Sequence, residues 1–114
     1  MNGILYNHAA FQLWNVRVAL NAKQKSYLRA LAHHRRVIVS IGTGGLTDAV
    51  ISEIDNALGR HELLKVRLPA IHRDQRAALL DEICDALEAE LVQNIGRVGV
   101  FYRRAEKPKI TVPV

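Results

Sequence analysis

The stretch from Lys23 to Thr47, KQKSYLRALAHHRRVIVSIGTGGLT, constrains the fold more than any other part of the chain. A basic helix-forming segment runs into a short β-branched strand, Val37 to Ile41. The strand ends at Gly42-Thr43-Gly44-Gly45, and a second helix follows. Asn21 and Gln24 form a capping-box pair at the start of the first helix, about Ala22 to His34. Gln24, Tyr27, Leu28, Leu31 and Ala32 fall at core-facing spacing, while Lys25, Arg29 and His33 recur every four residues as a separate basic stripe.

The second helix is predicted to begin at Thr47, whose hydroxyl can cap it. Asp48 suits the positive first turn and Leu46 can staple against Ile51. Val50, Ile51, Ile54, Ala57 and Leu58 make its apolar face, and Gly59 is expected to end it. Glu62 to Leu68 reads as a strand, with Leu64, Val66 and Leu68 alternating with Lys65 and Arg67, and Pro69 stops it. A third helix, about Asp74 to Glu90, buries Leu79, Leu80, Ile83, Cys84, Leu87 and Leu91. Leu91 to Ile95 and Val98 to Tyr102 read as a hairpin whose Gly96-Arg97 turn suits type II′. The order αβαβαββ defines an α/β domain with helices packed on a mixed sheet. The tail after Tyr102, RRAEKPKITVPV, is basic and proline-spaced, and an extended path is expected for it.

Charge is distributed in three blocks along the 114 residues. Residues 1–47 hold six cations (Arg17, Lys23, Lys25, Arg29, Arg35, Arg36) and no carboxylate. Residues 48–90 hold five cations against ten carboxylates, and residues 91–114 five cations against Glu106 alone. This favours an anionic partner docked on one face. Glycines beside such a cation density let a backbone approach a phosphate, and the helix N-terminus adds positive potential. A strand-to-helix turn can also need glycine merely for positive φ; the neighbouring cations favour the phosphate reading.

Other chemistries find no support in the residues. The P-loop frame and its lysine are missing, and the dinucleotide fingerprint is incomplete. His33 and His34, adjacent on a helix, point roughly 100° apart and cannot easily share a metal ion. Cys84, the single cysteine, lies on an apolar stripe and reads as core. The carboxylates of the third helix are scattered over its exposed surface rather than paired for acid/base work. A phosphate-ester enzyme would need a general base near the glycines, for which only His33 and His34 are local candidates. The N-terminal segment has neither a basic n-region nor a long apolar core, so a soluble cytoplasmic protein is expected. Phe101 and Tyr102 alternate across the last strand, so one ring is expected to face outward. Beside Arg103 and Arg104 it can stack on an unpaired base or simply pack in the core.

The blocks KQKSYLRALAHH, VIVSIGTGGLTDAVISEIDNAL, HELLKVRL and VFYR, in that order, resemble the CRM domain, the RNA-binding module of chloroplast splicing factors and of small bacterial YhbY-like proteins. The resemblance covers about residues 20 to 113. It implies a four-stranded mixed sheet packed with helices, similar to the C-terminal domain of translation initiation factor three. It also implies a non-enzymatic protein that binds large-subunit ribosomal RNA in pre-50S particles and assists ribosome assembly, with no cofactor, metal, small-molecule substrate or membrane. The family's GxxG loop, compared there with the loop of KH domains, maps onto Gly42, Thr43, Gly44 and Gly45. Its basic surface maps onto Lys23, Lys25, Arg29, His33, His34 and Lys65. Many relatives carry lysine or asparagine inside the loop; here the loop offers backbone amides and no lysine. Where relatives often have proline before the first strand, this chain has Arg35 and Arg36. Residues 1–19 read as an N-terminal extension, and a start-site artefact upstream of about Val18 is one explanation for the first seventeen or so. An alternative function is an interaction module for ribosomal or acidic proteins, with RNA incidental.

Overall fold

The computed structural model describes residues 19–114, so the expectation about an N-terminal extension lies outside the described residues. Seven elements follow in the order read from sequence: α1 (Ala22–Ala32), β1 (Val37–Ser40), α2 (Asp48–His61), β2 (Leu63–Arg67), α3 (Arg73–Leu87), β3 (Glu90–Ile95) and β4 (Val98–Tyr102). The four strands form one sheet in the order β1-β2-β4-β3. β1 runs parallel to β2, and the two remaining pairings are antiparallel.

Strand alternation divides the core between the two sheet faces. On one face α2 and α3 bury Ile54, Ala57, Leu58, Leu80 and Ile83 against Val39, Leu64, Val66 and Phe101. The other face receives α1, whose Leu28 and Ala32 pack on Leu63, Val92, Val100 and Tyr102. Gly99 permits the α3 side to close: a Cβ there would lie 2.9 Å from the Phe101 ring and 3.0 Å from Leu80.

The expected caps form. Asn21 Oδ1 accepts the Gln24 amide at 2.8 Å while Gln24 Oε1 accepts the Asn21 amide at 3.0 Å. Thr47 Oγ1 accepts the Val50 amide at 3.2 Å. At the hairpin Gly96 takes φ +54° and Arg97 stays out of the left-handed region, as a type II′ turn requires.

Four local expectations are corrected. Tyr27 is 39% exposed, because Leu28 and Ala32 one turn apart take the sheet contact and rotate Tyr27 off it. Neither Phe101 nor Tyr102 faces out: the sheet is covered on both faces, so opposite-facing rings are both buried. α2 passes through Gly59 and ends at Glu62, which adopts φ +61° and donates its amide to the Leu58 carbonyl. α3 stops at Leu87, where Glu88 turns left-handed and β3 begins at Glu90.

Glu62 is fully buried, and its carboxylate fixes the C-terminal tail. Oε2 accepts the Ala105 amide at 2.9 Å; Oε1 accepts those of Lys109 (2.6 Å) and Ile110 (2.9 Å). The tail then lays Ile110 and Val112 against the α1 cluster, and Gln24 Nε2 donates to the Pro113 carbonyl at 3.0 Å. Glu62→Ala would strip the acceptor from buried amides, at about 1–3 kcal/mol for each left unsatisfied. Urea denaturation should show a loss of roughly 2–4 kcal/mol, with fast hydrogen exchange at Lys109 and Ile110. Unchanged exchange at those amides would remove the carboxylate from this role.

Burial pushes the Tyr102 hydroxyl above its ordinary value of 10; the Glu62 charge adds to this and Arg104 opposes it. A folded-state pKa above the unfolded one means stability that is intact below the unfolded value and lost as pH rises through the folded one. Urea titrations between about pH 9 and 11 should therefore show a steeper decline for the natural chain than for Tyr102→Phe. Parallel declines would contradict it.

Candidate nucleic-acid interface

α1 covers only part of its sheet face. The rung Ser40–Arg67–Val98–Ile95 crosses all four strands at the end where β1 leads into the glycine turn. Alternation from Leu63, Val100 and Val39 places these four side chains on the α1 face, beyond the helix. Arg67 is exposed and Ile95 is 65% exposed. Between α1 and this surface lies a groove of about 210 Å³ with Arg29 and His33 on the helix side and Lys65, Gln93, Ile95 and Val98 on the sheet side. Lys65 is half-buried, and its Nζ donates to the Arg35 carbonyl at 3.1 Å.

The glycine turn sits at the same end. The Gly45 amide donates to the Gly42 carbonyl at 3.1 Å, and the Thr47 amide to the Gly45 carbonyl at 3.0 Å. Thr43 and Gly44 form the exposed tip, and their amides donate to no protein acceptor among the described residues. Only Gly45, at φ +74°, needs glycine for its backbone. A Cβ at Gly42 would meet nothing within 4 Å, and at Gly44 only Thr47 Cγ2 at 3.8 Å. Packing and backbone conformation therefore do not require glycine at these two positions, and the open space beside them would admit the backbone of a ligand. Asp48 in the first turn of α2 offsets part of the positive potential there.

The structure distributes the sequence-predicted residues over three places. Arg29, His33 and Lys65 meet at the groove. Lys23 and Lys25 lie on α1, Lys23 exposed and Lys25 half-buried, and His34 is exposed just beyond the helix with its ring against His33. Arg35 and Arg36 precede β1 and so lie at the strand end opposite Gly42, Thr43, Gly44 and Gly45. Arg103 and Arg104 border a mixed-charge hollow that Asp55, Glu88 and Glu106 also line. There Arg103 Nη1 pairs with Asp55 Oδ1 at 2.7 Å and also donates to the Leu87 carbonyl. Sequence reasoning passed over Gln93, Ile95 and Val98. Bulges near Leu91 and Val37 shift the register and hide which strand residues share a face. Arg67 was legible from its alternation with Leu64, Val66 and Leu68.

A mixed sheet with one face half open and cationic, edged by a glycine turn at a helix N-terminus, has the features that suit a small domain to a polyanion. The chain belongs to the CRS1 / YhbY (CRM) domain family, whose model matches residues 20–103. It is 42% identical over 94 residues to an RNA-binding protein of Haemophilus influenzae, covering 82% of this chain and 95% of that one. It is 41% identical over 91 residues to a probable RNA-binding protein of Pseudomonas aeruginosa, covering 80% of this chain and 88% of that one. The solution structure of a hypothetical protein from Staphylococcus aureus, described as an RNA-binding candidate, superposes with a TM-score of 0.73 at 39% identity. That alignment spans 82% of this chain and 99% of the other.

The division among the glycines is testable by thermal or urea unfolding. Gly45→Ala should cost about 1–2 kcal/mol for a left-handed alanine. Gly42→Ala and Gly44→Ala should each stay within about 0.5 kcal/mol of the natural chain. Comparable losses at all three positions would assign the whole turn to folding.

Proposed function

We propose that this chain is a non-enzymatic RNA-binding protein that binds ribosomal RNA in precursors of the large subunit and assists their assembly. The observation that carries RNA binding is the glycine tip: packing and backbone conformation do not require glycine at Gly42 and Gly44, and the amides of exposed Thr43 and Gly44 donate to no protein acceptor among the described residues, beside a cationic sheet face. Relatives named as RNA-binding proteins support the same reading. The ribosomal setting rests on the family resemblance.

In this reading the tip amides hold a phosphate, while Arg29, His33, Lys65 and Arg67 hold neighbouring parts of the backbone. Lys23, Lys25 and His34 extend the positive field along α1. Ile95, beside these cations, gives a base or ribose an apolar contact. Arg103, held by Asp55, is left out of the interface. The cytoplasm is the compartment that goes with this reading.

Sucrose-gradient sedimentation of extracts carrying the tagged natural chain or Gly44→Asp tests the proposal. The natural chain should migrate with large-subunit precursors and leave them after ribonuclease. Gly44→Asp, folded by circular dichroism, should shift several-fold in its distribution toward the top, since it brings a carboxylate to the phosphate site. Migration that survives ribonuclease would favour a protein contact, and a natural chain found only at the top would overturn the ribosomal reading.

A further inference from the structure

At the far end of β1 from the glycine turn, three segments distant in sequence close a second groove, of about 440 Å³. Arg35 and Arg36 come from the α1–β1 turn, Arg60 and His61 from the last turn of α2, and Lys109 from the tail. Ile38, Leu63 and Ile110 supply its apolar part, and no carboxylate among the described residues lines it.

The groove is built rather than incidental. Arg35 Nη1 donates to the carbonyls of His61 (3.1 Å) and Leu63 (3.2 Å), which holds the guanidinium in place with its other donors unspent. Lys109 is positioned through its own amide, bound to the buried Glu62 carboxylate at 2.6 Å. Arg36 and Arg60 are exposed, and their side chains make no hydrogen bond or ion pair among the described residues. A structural role accounts for some of this: Arg60 and His61 suit the negative end of α2, and Arg35 caps the His61 carbonyl there. It does not account for Arg36 or Lys109. Four permanent cations face the groove and repel one another, which a bound anion relieves; the nearby Glu62 carboxylate is buried and taken up by backbone amides of the tail.

We infer that this groove is a second phosphate-binding site for the same RNA, so that the nucleic acid runs along edge strand β1 from the glycine tip to the tail. The inference rests on the RNA reading above. Gly42 lies six steps along the chain from Arg36, about 20 Å of extended chain. A stacked helical strand rises about 3.4 Å per nucleotide along its axis, so the span corresponds to roughly six nucleotides of helix and fewer of extended strand, too far for one phosphate to serve both. The groove therefore adds contacts of its own and fixes the direction in which the RNA leaves the glycine tip.

Fluorescence anisotropy with a labelled RNA hairpin carrying an unpaired loop, titrated at a series of KCl concentrations, tests it. The full chain is compared with Arg36→Gln/Arg60→Gln, with Lys109→Gln and with Gly44→Asp. The double variant should bind roughly tenfold more weakly at low salt, and its slope of log affinity against log salt should be shallower by about 1.4–1.8, two contacts at 0.7–0.9 each. Lys109→Gln should lose about half that slope, an independent check if the double variant folds poorly. Charge variants that superimpose on the natural chain while Gly44→Asp still weakens binding would overturn the groove and leave the RNA reading intact. Weaker binding at an unchanged slope would also overturn it, since the loss would not come from phosphate contacts. A natural chain that does not bind the hairpin at all would overturn the RNA reading itself.

Discussion

The carboxylate of Glu62 is the interaction on which the rest of the arrangement depends. A buried charge is costly unless its lone pairs are filled, and here the amides of Ala105, Lys109 and Ile110 fill them. The same residue ends α2 at φ +61°, a backbone state that glycine would adopt more easily. Glycine would leave the tail amides without an acceptor, so the strained backbone and the carboxylate belong together. The Glu62 carbonyl also accepts the Arg103 amide at 2.9 Å, so one residue directs the chain as it leaves β4. From there the tail reaches α1 and supplies Ile110 and Val112 to its underside.

This fixes how the two faces of the sheet are used. The α2–α3 face is given over to the core, where the Phe101 ring packs among aliphatic groups. The α1 face is shared: helix and tail cover one end, while the rung from Ser40 to Ile95 remains open. Cations that cannot be buried cheaply, such as Arg67 and the Lys65 ammonium, are therefore delivered to a surface already flattened by the sheet. No helix among the described residues is long and apolar enough to cross a membrane.

Element order and helix starts were legible because their signals are local. Asn21 with Gln24, Thr47 with Val50, and Gly96 in its turn each act within a few residues. Helix ends were less legible: Gly59 carries the usual stop signal, yet contacts of Leu58 and the distant tail with Glu62 decide where α2 finishes. The basic residues and glycines of the candidate site were legible as a set, but the places they occupy were not. Arg35 and Arg36 sit close to the glycines in sequence, and a strand between them sends the two groups to opposite ends. Lys109 and Arg36, far apart in sequence, share a groove because of a buried carboxylate that reads, in isolation, as one more surface glutamate.

The unequal size of the two apolar clusters has a dynamic consequence. Among the described residues fifteen buried side chains join the α2–α3 side and six the α1 side. The smaller cluster forms a weaker cooperative unit, so α1 and the tail would open together, by sub-global fluctuation, while the sheet and its other helices stay folded. The groove with Arg29 and His33 on one wall and Lys65 on the other straddles the boundary of that unit. A ligand seated there would clasp the least stable part of the molecule to the most stable, and some of its binding free energy would go into holding the domain shut.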